Sequence, residues 1–139
     1  MFHAIRPARR ARRYNLGVVT LLRNDVAFGA QPTPLSDALA GLETTGQTLA
    51  KQCAGRILVV KTQPAGSVGA VWHINVYQHT ASATVAERKA IWQACSHIVQ
   101  DAKQQLAGVV LAGDLNACMQ PDDRRDSQHA RTPDVDLLR

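Results

Sequence analysis

Asp114 and Asn116 stand two residues apart at the end of the apolar run "VVLAGDLN", residues 109–116. Side chains alternate along a strand, so a carboxylate and an amide at that spacing point to the same face of a strand that runs through both. Together they offer a base and a hydrogen-bond donor. That pair suits a phosphodiester, whose anionic oxygen accepts from the amide while the carboxylate orients or deprotonates an attacking water. The plainer reading is a turn, where Asp and Asn are both favoured for local backbone bonding. A second set lies upstream in "WHINVYQHT", residues 72–80, where Asn75, Tyr77 and His79 fall at alternate positions and so on one face. His79 carries no assignment: it could meet a phosphate, but a lone histidine at a strand end is more often a surface residue.

The elements that must position these residues follow from pattern. "GVVTLLR", residues 17–23, is β-branched and aliphatic and reads as a buried strand. "RILVVKTQ" (56–63) and "AVWHINVYQ" (70–78) read as two strands, and the "PAGSVG" between them suits a hairpin. In "TVAERKAIWQACSHIVQDAKQQLAG" the residues Ile91, Ala94, Cys95, Ile98, Ala102 and Leu106 recur at helical spacing. Thr84 with Glu87 makes a capping box at its start, and Gly108 is expected to terminate it. "VVLAGD" is then a short apolar strand, completing a strand, helix, strand order that builds an α/β sheet. Residues 29–55 are rich in Gly, Pro, Ser and Thr, with weak leucine spacing at 35, 39 and 42. They read as a long, insertion-like loop with one helical turn group. After Asn116, residues 117–139 read as a polar loop followed by a helix start in "DVDLLR".

Composition narrows the class. A chain of 139 residues with 45% hydrophobic content is sized for one domain with a modest core, and at 4% aromatic that core is built from aliphatic residues. Its formal net charge is +5, and 12 of its 16 cationic residues are arginine, which pairs bidentately with phosphate. Five of these arginines lie in the opening stretch, and residues 1–16 read as a basic, disordered arm. There Arg9, Arg10, Arg12 and Arg13 are candidate nucleic-acid contacts, although a nuclear signal, an organelle presequence or a solvated tail has the same composition. Cys53, Cys95 and Cys118 form no zinc spacing, and their odd number argues against a disulfide framework. With no membrane-spanning run and no apolar signal core, the expectation is a soluble intracellular chain, nuclear or cytoplasmic.

In order, "NVYQHT", the capped helix and "VVLAGDLNA" resemble the endonuclease/exonuclease/phosphatase superfamily, the fold of DNase I-like nucleases and abasic-site endonucleases. The pattern is most similar to the endonuclease domain of non-LTR (LINE-type) retrotransposons. In that family a strand ending in Asn-x-Tyr leads to a helix, and the next strand ends in Gly-Asp-Phe-Asn. Here the second motif is Gly113-Asp114-Leu115-Asn116, with Leu115 at the usual Phe, and Gln78-His79 replaces the Tyr-x-Pro of many relatives. The resemblance covers roughly residues 17–116 and implies a partial DNase I-like α/β sandwich, a mixed sheet with outer helices, truncated at both ends.

It also implies roles. Asp114 would activate or orient the water, Asn116 would hold the scissile phosphate, and Tyr77 would contact the same phosphate with Asn75 supporting it. Mg²⁺ is the implied cofactor, yet the family's glutamate ligand has no counterpart. Glu43 lies in the insertion-like stretch and Glu87 in the capping box, so the metal ligands are unknown. The closing Ser-Asp-His of the family is missing too, since "Asp126-Ser127-Gln128-His129" has the wrong order. The resulting expectation is a piece of a metal-dependent, retroelement-type endonuclease, inactive alone. Its partner would be nucleic acid, DNA rather than RNA, alongside the rest of a retroelement polyprotein, with no membrane. Two other readings stand beside it: a non-catalytic nucleic-acid-binding remnant, and a structural or pseudogene fragment.

Overall fold

A computed structural model describes residues 2–5, 18–23, 30–64, 66, 69–80 and 83–116. At its centre is a four-stranded mixed sheet made by β3 (Gln31–Thr33), β4 (Ile57–Thr62), β5 (Val71–Tyr77) and β6 (Gly108–Asp114), in that spatial order. β3 to β5 pair antiparallel, whereas β6 lies parallel to β5 and is reached through the crossover helix α3 (Val85–Gln104). A parallel neighbour requires such a crossover, because no tight turn can return the chain to the same end of the sheet. The architecture is therefore α/β, with helices packed on a mixed sheet.

Alternation along the strands decides what each face of the sheet meets. Ile57 and Val59 of β4 and Trp72, Ile74 and Val76 of β5 point to one face, all at most 4% exposed. Against them pack Ala90, Ile91, Ala94, Cys95, Ile98 and Ala102 of α3, joined by Leu49 of α2 (Glu43–Gln52). Thr84 begins α3 as predicted: its hydroxyl accepts from the Glu87 N–H at 3.2 Å, and the Glu87 carboxylate accepts from the Thr84 N–H at 2.8 Å. Both orphan donors are thereby satisfied. Burial pushes the Cys53 thiol up to about 11 and Cys95 to about 12, so both are inert core residues at neutral pH.

The opposite face carries a partial second layer. β2 (Thr20–Arg23) pairs antiparallel with β1 (Phe2–Ile5), and Val18 and Leu22 pack onto Leu58 and Val60 of the central sheet. Asn75 fastens this layer, its amide donating to the Val19 carbonyl at 2.8 Å and reaching the Thr20 hydroxyl at 3.4 Å.

Several expectations are corrected here. Residues 31–52 are not a loop but β3, a short helix α1 (Leu35–Ala38), a 3-10 turn (Ala40–Leu42) and α2. The leucines were the signal, since Leu39 and Leu49 are buried while Leu35 and Leu42 pack against the same core. Gly46, which favours a loop by type, is instead a contact requirement. A Cβ there would lie 2.1 Å from the Leu39 carbonyl oxygen.

Residues 2–5 of the basic arm form a strand, because β2 offers them a partner. The rest of that arm, with Arg9, Arg10, Arg12 and Arg13, lies outside the described residues, as do residues 117–139. The strand expected over 17–23 is formed by residues 20–23 and buries only alternate positions, leaving Leu21 62% exposed. α3 ends two residues before Leu106, its last expected apolar position: Leu106 takes the left-handed conformation (φ 55°) and is exposed, and Gly108 already belongs to β6. The bonds from the Ala107 N–H to Ala102 and from the Leu106 N–H to Lys103 close the helix as a Schellman motif, so no glycine is needed.

Candidate phosphate-handling site

The candidate residues gather at one end of the sheet, at the C-terminal ends of the parallel strands β5 and β6. In α/β sheets this is where ligands settle, because loops diverge there and leave a crevice. Tyr77 and Asp114 are register partners on the last rung of the β5–β6 ladder. On the other side of Tyr77 stands Arg56, whose carbonyl accepts the Tyr77 N–H at 2.8 Å. Ile57 pairs with Val76, so Arg56 opposes Tyr77 one rung further on. Arg56, Tyr77 and Asp114 thus form a row across three neighbouring strands on the face opposite α3. Strands are spaced about 4.8 Å apart, which puts the Arg56 and Asp114 backbone positions roughly 10 Å apart with Tyr77 between them.

Arg56 is held by two contacts. One guanidinium nitrogen donates to the Tyr77 carbonyl at 3.3 Å, and the guanidinium carbon lies 5.3 Å from the centre of the Tyr77 ring. A guanidinium over a phenol face is a cation–π arrangement that orients both groups. Among the described residues Arg56 has no carboxylate within ion-pair distance. Asp114 is exposed, and one of its carboxylate oxygens accepts the Asn116 backbone N–H at 3.0 Å.

Asn116 is not on the strand, which corrects the shared-face argument. β6 stops at Asp114, and Asn116 sits in the left-handed region at φ 45°. Its closeness to Asp114 comes from a turn, the plainer of the two readings of this spacing. The Asn116 amide donates to the Gln78 carbonyl at 2.8 Å, so one of its two N–H donors is committed to the fold. Asn75 is likewise committed, to Val19 and Thr20. His79 lies beyond the end of β5, half-buried, with its backbone N–H donating to the Gln78 side chain at 2.8 Å. Burial holds its imidazole below the ordinary histidine value, the Arg56 charge pushes it the same way, and Glu87 opposes both. At neutral pH His79 is therefore neutral, with one donor and one acceptor nitrogen.

Gln78 is the residue that sequence reasoning missed most plainly. It is fully buried: its amide donates to the Arg88 carbonyl at 3.3 Å, its own N–H to the Asp114 carbonyl at 2.8 Å, and its carbonyl receives Asn116. Joining β5, α3, β6 and the turn after β6, it fixes this end of the sheet. Period-two alternation contained the signal, because 72, 74, 76 and 78 share the buried register. Arg56 gave no such signal, since its partners lie 21 or more residues away.

Divalent ions such as Mg²⁺ need several oxygen ligands, commonly carboxylates, in fixed geometry. Among the described residues no three or more His, Cys, Asp or Glu are grouped to hold a metal ion. Asp114 contributes one carboxylate, and Glu87 is engaged by Thr84. The described residues do not fit the metal that the family resemblance implies, and no step is derived through it. Among them also, no helix is long and apolar enough to cross a membrane.

Comparison of the chain with protein-family models, with curated proteins and with solved structures gave no match.

Proposed function

We propose that this domain is the phosphate-handling part of an endonuclease-type phosphodiesterase, retroelement-like in its motifs, which holds the backbone of a nucleic acid at the end of β5 and β6. The observation that carries the reading is the rung on which Tyr77 faces Asp114, with Asn116 one turn beyond. Tyr77 offers a hydroxyl to a phosphate oxygen, and Asp114, exposed on the same face, orients water on its far side. With one carboxylate in the group, cleavage depends on further acidic ligands supplied from elsewhere.

A second reading, binding without cleavage, is favoured by a specific observation. Both amides that the resemblance gives to phosphate already give an N–H to a backbone carbonyl, Asn75 to Val19 and Asn116 to Gln78, which holds them to the fold. One experiment separates the two. The purified chain and its Asp114→Ala variant are incubated with supercoiled plasmid, with and without Mg²⁺, beside a binding assay on the same DNA. Binding without nicking is the expected result for the domain alone. Metal-dependent nicking that vanishes in the variant would make it a complete enzyme. A cooperatively melting chain that neither binds nor nicks would remove both readings.

A further inference from the structure

The row across the sheet contains a charge that the motifs leave unused. Arg56 is half-buried, placed on the Tyr77 ring, and anchored through a single bond to the Tyr77 carbonyl. A guanidinium carries five N–H donors in a planar fork, and one bond leaves most of that capacity unspent. No carboxylate among the described residues is in ion-pair contact with it, and Glu87, the acid that feels its charge, is bonded to Thr84. The nearest candidate in the row, Asp114, is separated from it by the width of the β5 strand and is bonded to its own turn. An anion seated over Tyr77 would meet Arg56 on one side and the phenol hydroxyl beside it, while Asp114 stays on the far side of the ring. That spacing matters because the repulsion between a phosphate and a carboxylate weakens with distance and with water between them.

We propose that Arg56 is the anion anchor of this site, its guanidinium taking two non-bridging oxygens of one backbone phosphate beside the Tyr77 hydroxyl. The inference rests on the nucleic-acid reading above and adds the residue that bears the charge. It assigns a division of work along the row: Arg56 holds, Tyr77 orients, and Asp114 faces the water. Arginine suits this place better than lysine because the fork matches two oxygens at once while its plane stays stacked on the phenol.

The test is the salt dependence of binding to a short fluorescent DNA duplex, measured for the wild type, Arg56→Lys and Arg56→Met, each checked by thermal melting. The plot of log affinity against log salt is expected to flatten by about one unit of slope in Arg56→Met, the signature of one lost phosphate contact. Arg56→Lys is expected to keep the slope and bind more weakly at every salt concentration. Equal slopes for wild type and Arg56→Met would overturn the anchor and leave the nucleic-acid reading standing, with Arg56 merely packing on Tyr77. Should Arg56→Met fail to melt cooperatively, inorganic phosphate is titrated into the wild type while the Arg56 side-chain N–H resonance is followed. A saturating shift supports the anchor and no shift overturns it. A chain that takes inorganic phosphate there but ignores DNA would keep the anion site and remove the nucleic-acid reading.

Discussion

The two faces of the central sheet use the same strands for different work. Toward α3, Trp72, Ile74 and Val76 of β5 are each 1% exposed and meet an aliphatic helix surface. Toward the other side, His73, Asn75 and Tyr77 are only half-buried, and each makes a polar or cation–π contact: His73 with the Thr62 hydroxyl, Asn75 with Val19, Tyr77 with Arg56. The α3 face is apolar along the whole of β5, whereas the other face buries Leu58 and Val60 of β4 under Val18 and Leu22 and presents polar groups along β5. A chemical site on a sheet needs this arrangement, because a side chain is positioned only as well as the backbone beneath it is fixed.

The sharpest way to break the comparison is at Gly113, where both faces depend on one backbone position. Its φ of 134° is open to glycine alone, and a Cβ would lie 1.9 Å from the Val76 carbonyl oxygen. Gly113→Ala is expected to cost about 4 kcal/mol or more, enough to remove a cooperative urea transition. An unchanged midpoint would mean that β6 does not approach β5 as closely as described.

The adjacent pair Ile74 and Asn75 compares the faces directly. Ile74→Ala is expected to lower stability by about 3 kcal/mol through lost burial and a residual cavity. Asn75→Ala should cost about 1 kcal/mol, the loss of its half-exposed bond to the second layer. Equal losses in urea titrations of the two variants would contradict the division between a packing face and a presenting face.

The smallest expected effect is the pH response of the polar face. Burial holds His73 and His79 below the ordinary histidine value of 6.5. The unfolded chain therefore binds protons more readily, and their contribution to stability, fully present above 6.5, is lost as pH falls through the lower folded values. His73 and His79 resonances titrating at or above 6.5 in the free protein would refute this assignment. Bound phosphate beside Arg56 should raise the His79 value again, an upward shift that sharpens the site's location.

Sequence and structure agree where periodicity is strong and local. β4, β5, α3 and β6 follow from alternation or helical spacing, and the Thr84–Glu87 box forms as its spacing requires. They part where long-range packing overrides residue type. Residues 29–55 read as loop from their Gly, Pro, Ser and Thr content, yet one of those glycines, Gly46, lets α2 approach the Leu39 backbone. At the site, Tyr77 and Asp114 were each legible as residues near a strand end, but the rung they share exists only in the β5–β6 register. Asn116 was misplaced because the shared-face argument ran the strand through it, although the turn preference of Asp and Asn pointed the other way. Arg56 was missed because its place in the row exists only once β4 pairs with β5.

The central claim is that the polar face, at the row Arg56–Tyr77–Asp114, is where a nucleic-acid backbone is held. Titrating a short DNA duplex into isotopically labelled protein and following every assigned resonance tests it most directly. Shifts confined to Arg56, Tyr77, His79, Asp114 and Asn116, with Ile74 and Ile98 on the helix side unmoved, are the predicted result. Shifts on the outer surface of α3 with that row silent would contradict it.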